Sequence, residues 1–369
     1  MTSPRHISVR QIAEQAGVSH ATVSLALRGS PRLSAATRDR VCAVAQTMGW
    51  RPNPAVAAWM AHRRSISQPG RSETIAFLNS WPDLKEWARY PWMTRYVDGA
   101  RARAEELGYG FDEIHCAKMG MGARLQKILF SRGIRGVIVG SQGPSSPKPA
   151  LDWSQLATVA QSYTTNGLKA SRSLNNYYLS MRTAMAELRA LGYRRIGYAS
   201  PLEVEGRTDQ ASLSAYLGVQ AGLDPEERVS VLTWSGSDRK PLAKWLEQER
   251  PDALLLHDVR IRTTLADLGV RVPDDLGLAW LSLHPEWQIA LPEFQGLAGI
   301  DQRLERCGSV AVDLLVSRLS QNELGLPEEP VLALTEGVWI PGPTVRAAGT
   351  VPDVVKKRAP AGRQAPSRS

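Results

Sequence analysis

The chain has 369 residues, of which 43% are apolar and 22% charged, a composition typical of a soluble globular protein with a small domain and a larger body. No run of eighteen apolar residues occurs and the N-terminus lacks the apolar region of a secretory signal, which argues against a membrane or secreted protein. The three cysteines, Cys42, Cys116 and Cys307, are too far apart for a disulfide framework or a metal site. They predict a cytoplasmic protein without a metal or other cofactor.

The positive charge is concentrated at the two ends of the chain. Residues 1–64 carry a net charge of +7 from nine arginines against Glu14 and Asp39, and residues 351–369 carry +4, so the body between them is close to neutral. A basic head on a neutral body is typical of a protein whose head meets a polyanion, although a merely solvated basic face produces the same count.

Residues 8–49 are predicted to form three short helices. Ser8 begins a capping-box pattern, and Ser19 and Ser34 are expected to cap the second and third helices. The abrupt turn at Gly17 between the first two helices is the helix-turn-helix signature.

The rest of the chain predicts a hinge, an α/β body and a tail. Residues 55–61 are helix-prone but too few to form a stable isolated helix in water. From Thr74 onwards, short apolar runs alternate with amphipathic helices, which predicts doubly wound parallel sheets covered on both faces. The length of this body favours two similar lobes. The final segment is rich in Pro, Ala, Arg and Lys and is predicted to be disordered.

Several segments carry a family resemblance: residues 7–24, 34–41, 51–55, 273–277, 297–302 and 337–344. They resemble the LacI/GalR (lactose repressor) family of transcription regulators over roughly residues 7–346. The resemblance implies a DNA-reading all-α head, a hinge helix and a two-lobed α/β body shaped like a periplasmic binding protein. It also implies assembly as a dimer or tetramer on pseudo-palindromic operators.

The resemblance, together with the composition changes, predicts the domain bounds. These are a helix-turn-helix domain at 1–50, a hinge helix and linker at 51–72, a ligand-sensing domain at 73–346 and a disordered basic tail at 347–369. Within the ligand-sensing domain the predicted N-lobe is 73–163 with 299–325, and the C-lobe is 164–298 with 326–346. The chain would cross between lobes near residues 162–166, 299–302 and 322–327. The tail lacks a heptad repeat, which favours a homodimer over a tetramer.

The predicted DNA contacts begin at the second helix, whose N-terminal residues reach base edges in a helix-turn-helix. His20 can donate to or accept from a base edge, and Ala21 is small enough to touch a thymine methyl group. Leu25 stands where the family often has a polar base-reading residue, so the half-site should differ from the usual one. The other predicted contacts, chiefly to phosphates, are Val9, Arg10, Ser19, Thr22, Ser24, Arg28, Thr37 and Arg38. Each of these side chains is alternatively an ordinary solvated surface residue.

The hinge is predicted to fold when two copies pair in a widened minor groove. Asn53 is a predicted DNA contact at the start of the hinge. Counting from Pro52 and Asn53, the apolar wedge that family members insert between base pairs falls on Trp59, where a leucine is usual. Either Trp59 inserts more deeply or Met60 takes this role. The alternative is that Trp59 packs on its own body.

The predicted effector site begins with an aromatic-rich segment after the first strand, including Trp81, Trp87 and Trp92. Their rings are expected to stack on a sugar or enclose an apolar effector, or else to pack in the core or a dimer face. The resemblance matches Arg207 to the arginine that holds the effector in sugar-binding members.

Other residues fall near the pocket positions implied by the resemblance. Trp234, His257 and Asp258 are among them, and Ser282 lies in a segment that replaces the family's usual acidic sugar ligand. A plain hexose is therefore in doubt, and the predicted effector is a carbohydrate or another small polar metabolite.

The function predicted from these features is regulation, most simply repression, of transcription. Effector binding between the lobes would close them and shift the hinge helices, which changes operator affinity. Three alternatives are a solute-binding protein of the same body fold, an enzyme and a non-specific architectural DNA-binding protein. The chain has no Gly-rich phosphate loop, nucleophile elbow or His/Cys ligand cluster, so an enzyme is not predicted.

Overall fold

A computed structural model describes the chain from Ile7 to Arg346 with internal gaps. The residues outside the described part are 1–6, 28–32, 51–72, 82, 84–91, 117–121, 144–145, 147–149, 166, 234–238, 258–260, 285–295 and 347–369. The chain divides into two compact units. The first consists of Met1–Leu174 and Leu304–Leu334, and the second of Asn175–Arg303 and Thr335–Ser369.

Three helices form the head of the first unit, as predicted. They are α1 (Val9–Ala16), α2 (His20–Ala26) and α3 (Ala35–Thr47). Ile12, Val23 and Val41 contribute one fully buried side chain from each helix to their common core. Gly17 ends α1 with a φ of +64°, a left-handed conformation that glycine adopts without a steric penalty.

A mainly parallel sheet forms the rest of the first unit. Its strands are β1 (Thr74–Asn79), β2 (Gly110–His115), β3 (Gly136–Val139), β4 (Ala157–Gln161), β5 (Ser171–Asn175) and β11 (Leu332–Thr335), in the order β11-β5-β4-β3-β1-β2. Its helices are α4 (Trp92–Glu106), α5 (Ala123–Ser131) and α11 (Leu304–Gln321). Alternate residues of β1 belong to two core clusters, one with α4 and α11 and the other with α5. Both faces of the sheet are therefore covered, as predicted.

The second unit repeats this design. Its strands are β6 (Ile196–Ser200), β7 (Val231–Thr233), β8 (Ala253–Leu256), β9 (Gly277–Leu283), β10 (Ala298–Asp301) and β12 (Val338–Ile340), in the order β12-β10-β9-β8-β6-β7. Its helices are α6 (Tyr177–Ala190), α7 (Leu202–Arg207), α8 (Ala211–Ala221), α9 (Arg239–Glu249) and α10 (Ile261–Asp267). The pairings of β6 through β10 are parallel, and β12 runs antiparallel to β10.

The changes from one unit to the other occur later along the chain than the predicted lobe crossovers. They fall between Leu174 and Asn175, between Arg303 and Leu304, and after Leu334. The first difference arises because β5 pairs in parallel with β4 and so remains in the first sheet. The third arises because β11 joins β5, with the Arg172 amide donating to the Val331 carbonyl at 2.8 Å.

The polar strand β5 is buried because its side chains have internal partners. The Ser173 hydroxyl donates to the carbonyl of Cys307 at 2.7 Å, within the first unit. At the end of the strand, the Asn175 amide donates to the carbonyl of Gln302 at 2.8 Å, within the second unit. These bonds offset the cost of burying polar groups, so a segment without an apolar run becomes an internal strand.

Helices α4 and α11 cross at two glycines. A Cβ atom placed on Gly99 would lie 2.0 Å from the carbonyl oxygen of Glu305, and one on Gly308 would lie 2.0 Å from that of Tyr96. The guanidinium of Arg95 donates to the Glu305 carboxylate at 2.5 and 2.8 Å beside this contact. The two helices are thus in backbone contact, and no larger side chain fits at the crossing.

Candidate nucleic-acid interface and ligand site

Each of the three head helices begins with a serine cap. The Ser8 hydroxyl accepts from the Gln11 amide at 3.3 Å, and the Gln11 side chain accepts from the Ser8 amide at 2.8 Å. This reciprocal pair is the capping box that the sequence predicts at the start of α1.

The other two caps share a different motif, Ser-x-x-Thr. The hydroxyls of Ser19 and Thr22 lie 2.8 Å apart, and the Thr22 amide donates to Ser19 at 3.1 Å. The hydroxyls of Ser34 and Thr37 repeat this pair at 2.8 Å, with an amide bond of 3.3 Å. The remaining amides of each first turn have no partner inside the helix, and the helix dipole adds partial positive charge there. Such a helix start favours a phosphate group.

The residues predicted to contact bases lie on α2. His20 is exposed in the first turn, and Leu25 is half-buried. Ala21 and Ser24 lie on the same helix, but their side chains are outside the described part of the structure. Val9 is half-buried against the head core, so its amide rather than its side chain is available to a phosphate.

The two predicted cationic contacts in the described head make weak local ion pairs. Arg10 approaches Glu14 at 3.4 Å with its side chain 85% exposed. Arg38 approaches Asp39 at 3.9 Å. Exposed pairs of this kind contribute little stability, so both guanidinium groups can turn to another anion at small cost. The predicted contacts Arg28, Asn53, Trp59 and Met60 lie outside the described residues.

Trp81 occupies the core of the first unit. Its side chain is 1% exposed, its indole N–H donates to the Ser141 carbonyl at 2.9 Å, and its ring lies against Gly143. The alternative that these aromatic residues pack in the core therefore holds for Trp81, whose faces are already covered. Trp87 and the side chain of Trp92 are outside the described part.

A polar cluster surrounds His257, which directly follows β8 in the second unit. Its ring meets the rings of Tyr177 and Tyr198 edge to face, with centroids 6.3 Å away in each case. Its Nε2 atom is inaccessible to solvent and has no hydrogen-bond partner among the described residues. Burial lowers the pKa of His257 to about 4, although the charge of Glu205 opposes that shift. The imidazole is therefore neutral at physiological pH.

Glu205 is the hydrogen-bond acceptor of this cluster. Its carboxylate is 5% exposed and accepts hydrogen bonds from the Tyr198 hydroxyl and from the Leu213 amide, the latter at 3.3 Å. Burial, together with the negative charge of Glu205, raises the pKa of Tyr198. Sequence reasoning missed both residues, because a tyrosine inside an apolar strand and a glutamate in a short helix carry no distinctive local pattern.

The structure also describes Arg207 and Ser282, the two other predicted effector residues of the second unit that lie in its described part. Arg207 is the last residue of α7, two positions after Glu205, and is half-buried. Ser282 is 8% exposed, and its hydroxyl lies 3.2 Å from Nε2 of His284. Trp234 and Asp258 are outside the described part of the chain.

Two family models match the chain. The model of bacterial regulatory proteins of the lacI family matches residues 8–53, and that of the periplasmic binding protein-like domain matches residues 185–344. Together they cover the head and much of the body.

A curated relative and solved structures extend this similarity. The HTH-type transcriptional regulator PtxS of Pseudomonas plecoglossicida is 26% identical over 330 residues, covering 86% of this chain and 91% of that protein. The structure of the transcriptional regulator CelR with cellobiose is 21% identical and covers 92% of this chain and all of that one, with a TM-score of 0.51. The lac repressor dimer bound to operator and the anti-inducer ONPF is 20% identical and covers 93% of this chain and all of that one, with a TM-score of 0.50. These two structures support the fold.

Within the described residues, no helix combines the length and apolar character needed to cross a bilayer. Members of the matched family are transcriptional regulators rather than enzymes. The head is similar to the DNA-binding domain of the lacI family of bacterial regulatory proteins, and the body is similar to a periplasmic binding protein-like domain. This pairing, together with the similarity to PtxS over most of the chain, supports a DNA-binding, ligand-responsive transcriptional regulator.

Proposed function

We propose that this protein is a cytoplasmic repressor that binds a pseudo-palindromic operator as a homodimer. Binding of a small polar effector to the body would lower or raise its affinity for the operator. The observation that carries the proposal is the head, where three serine-capped helix starts lie within a matched lacI-family domain. The lac repressor structure, a dimer on its operator, has the same fold and supports this mode of binding.

On the DNA side, we assign base reading to His20, Ala21 and Leu25. His20 is exposed at the start of α2, where a helix-turn-helix meets the major groove. The first-turn amides of the three helices are assigned to phosphates. The side chains assigned to the DNA backbone are Arg10, Ser19, Thr22, Ser24, Arg28, Thr37 and Arg38, with Val9 acting through its amide. Asn53, Trp59 and Met60 are assigned to the minor groove at the hinge.

On the effector side, we assign recognition to Arg207 and His257. The arginine fork suits paired hydroxyls or a carboxylate, and the Nε2 atom of the neutral His257 ring, which has no partner among the described residues, suits a hydroxyl. The CelR structure with cellobiose supports a carbohydrate as the ligand class. Trp87, Trp92, Trp234, Asp258 and Ser282 remain predicted members of this site.

The first test is selection of bound duplexes from a random DNA library by the full-length protein. We expect a palindromic motif, and we expect Trp59→Ala to weaken binding to that motif far more than binding to non-specific DNA. Trp59→Leu is the matched control, since leucine retains an apolar wedge and should preserve most of the specificity. Recovery of no motif, with binding that only fades as salt rises, would support the architectural alternative instead.

Contacts to bases and contacts to phosphates can be distinguished by their effects on sequence specificity and on the salt dependence of binding. His20→Ala should relax base preference within the selected half-site, whereas Arg10→Gln should weaken all sequences alike and lower the salt slope by about one. If both variants changed only the overall affinity, the assignment of His20 to a base edge would be wrong.

The effector proposal is tested by thermal shift with cellobiose, glucose and gluconate as probes. A probe that stabilises the full-length protein should lose this effect in Arg207→Ala, and the same probe should change operator affinity. Stabilisation that survives in both Arg207→Ala and His257→Ala would place the binding elsewhere.

A further inference from the structure

The outer strand of the second sheet presents apolar side chains to solvent. In β12, Val338 is 45% exposed and Ile340 is 38% exposed, while Trp339 between them packs against the core. β12 is bonded to β10 on one side and is the last strand of the described sheet. Exposed sheet edges are usually protected by charges, prolines or a covering segment, because they pair readily with another strand. We therefore expect another polypeptide segment to cover this apolar edge strand.

The chain leaves the described part at the end of the sheet towards which β12 points, on the β9 side. Thr344 lies beside the starts of β9 and β10. Its carbonyl accepts a hydrogen bond from the Leu278 amide at 2.8 Å, and its hydroxyl accepts one from the Ala298 amide at 2.9 Å. Ile340 lies opposite Gly299 at the same end of β10. The last described residue, Arg346, is held there by a bond of 2.9 Å from its amide to the Tyr193 hydroxyl.

The remaining segment is long enough to return to the edge. From β9 to a new strand beyond β12 is three strand spacings, or roughly 15 Å. The seven residues 347–353 span up to about 23 Å when extended. A segment that returns from this end must run antiparallel to β12, since β12 points towards the end at which the chain leaves.

The composition of the tail matches the edge. Val354 and Val355 are its one adjacent pair of valines, and basic residues 356–358 follow them directly. In the segment that leads into β12, Glu336 is exposed two residues before the strand begins. With Val354 opposite Ile340, an antiparallel register sets Arg358 opposite Glu336. Directly opposed side chains share one face, so this register pairs Ile340 with Val354 and Glu336 with Arg358, and it lays the aliphatic part of Lys356 along Val338.

We propose that residues 354–358 add to β12 as an antiparallel strand in this register, so that the C-terminal segment covers the edge of the second sheet. Lys356 and Lys357 then lie on the new outer strand, where lysine discourages pairing with a further chain. The occupant of the apolar edge is thus the protein's own tail, and the pairing keeps one copy of the body from joining another through β12.

Disulfide trapping in the full-length protein tests the register. In a Cys42→Ser background, which removes the exposed native thiol, Ile340→Cys and Val354→Cys should form an intrachain disulfide with oxidised glutathione as the oxidant. The matched control, Ile340→Cys with Val355→Cys, places the second thiol on the opposite face and should oxidise at least tenfold more slowly. A third pair, Ile340→Cys with Arg363→Cys, reports random collision of a tethered tail.

The outcomes separate the possible occupants. Fast intrachain closure of the Val354 pair alone supports the proposal. Equal rates for all three pairs, or no closure of any, would overturn it. Interchain disulfides would also overturn it, and would identify a second copy as the occupant.

A second measurement avoids new cysteines. Hydrogen exchange in the peptide covering residues 336–346 should be about tenfold faster in Val354→Asp/Val355→Asp than in the parent chain. The control Ala361→Asp/Ala365→Asp, outside the proposed strand, should leave that peptide unchanged. Reversing Arg358 to Glu should also speed exchange, and adding Glu336→Arg should restore protection. An unchanged peptide in all variants contradicts the pairing.

Discussion

The crossing of α4 and α11 in the first unit and the cluster around Glu205 in the second are both buried, yet different forces hold them. At the crossing, Gly99 and Gly308 bring two helix backbones into direct contact. In the cluster, a buried carboxylate is held by the Tyr198 hydroxyl and a backbone amide, beside the neutral ring of His257.

The difference concerns what each region can respond to. The backbone contact at the two glycines has no titratable group and no spare donor of its own, so it is sensitive chiefly to the volume of a side chain. The Arg95–Glu305 pair lies beside it and is a separate interaction. A buried polar cluster depends on the protonation and pairing of each member, so a proton or a ligand hydroxyl changes its energy. The second region is therefore the better candidate for sensing.

The helix crossing should show the largest effect of substitution. Gly308→Ala places a methyl group 2.0 Å from the Tyr96 carbonyl, and we expect the forced separation of the helices to lower the free energy of unfolding by about 3 kcal/mol. The measurement is chemical denaturation, with hydrogen exchange of the α4 and α11 peptides to locate the change.

Gly218→Ala is the matched control for that substitution. Gly218 lies inside α8, and a Cβ atom there would meet nothing within 4 Å. Replacing this glycine should stabilise the helix by about 0.5–1 kcal/mol, because alanine has the higher helix propensity. If both alanine variants behaved alike, the close backbone contact would not be limiting.

The polar cluster should respond less strongly to loss of a single group. Tyr198→Phe removes the hydroxyl that donates to Glu205 and leaves a buried carboxylate oxygen short of one donor, at a cost of about 2 kcal/mol. Tyr178→Phe, at a side chain that is 46% exposed, is the control and should be nearly neutral. Denaturation of the three proteins gives the comparison, and equal stability of all of them would contradict the role of this bond.

The smallest expected effect is the pH dependence that His257 contributes in the polar cluster. Because burial holds the pKa of His257 near 4, below its ordinary value of 6.5, the unfolded chain binds more protons between these two values. The contribution of neutral His257 is therefore complete above pH 6.5 and is lost as the pH falls towards 4.

Substitution of His257 tests this pH dependence. Between pH 6.5 and pH 4, the free energy of unfolding of the parent chain should decrease. We expect this decrease to be smaller by about 1–2 kcal/mol in His257→Gln. His20→Gln, at an exposed histidine of the head, should keep the parent slope. Parallel slopes in all three proteins would show that His257 is not buried as a neutral group.

The amino-acid sequence by itself determined the local features. Ser8, Ser19 and Ser34 sit at the starts of the head helices because their short side chains accept the first free amides, a pattern readable from spacing alone. The central strands can also be recognised from the sequence, since a strand that is covered on both faces needs a continuous run of apolar residues. The family resemblance then supplied the DNA-binding function.

Only the tertiary structure decided the placement of the polar and aromatic groups. Ser173 and Asn175 became internal strand residues because distant carbonyls accept their hydrogen bonds. Trp81 went to the core because the Ser141 carbonyl accepts its indole N–H. Glu205 and His257 came together across two strand ends. Each placement depends on a partner supplied by a remote part of the chain, and no local pattern of residues encodes such a partner.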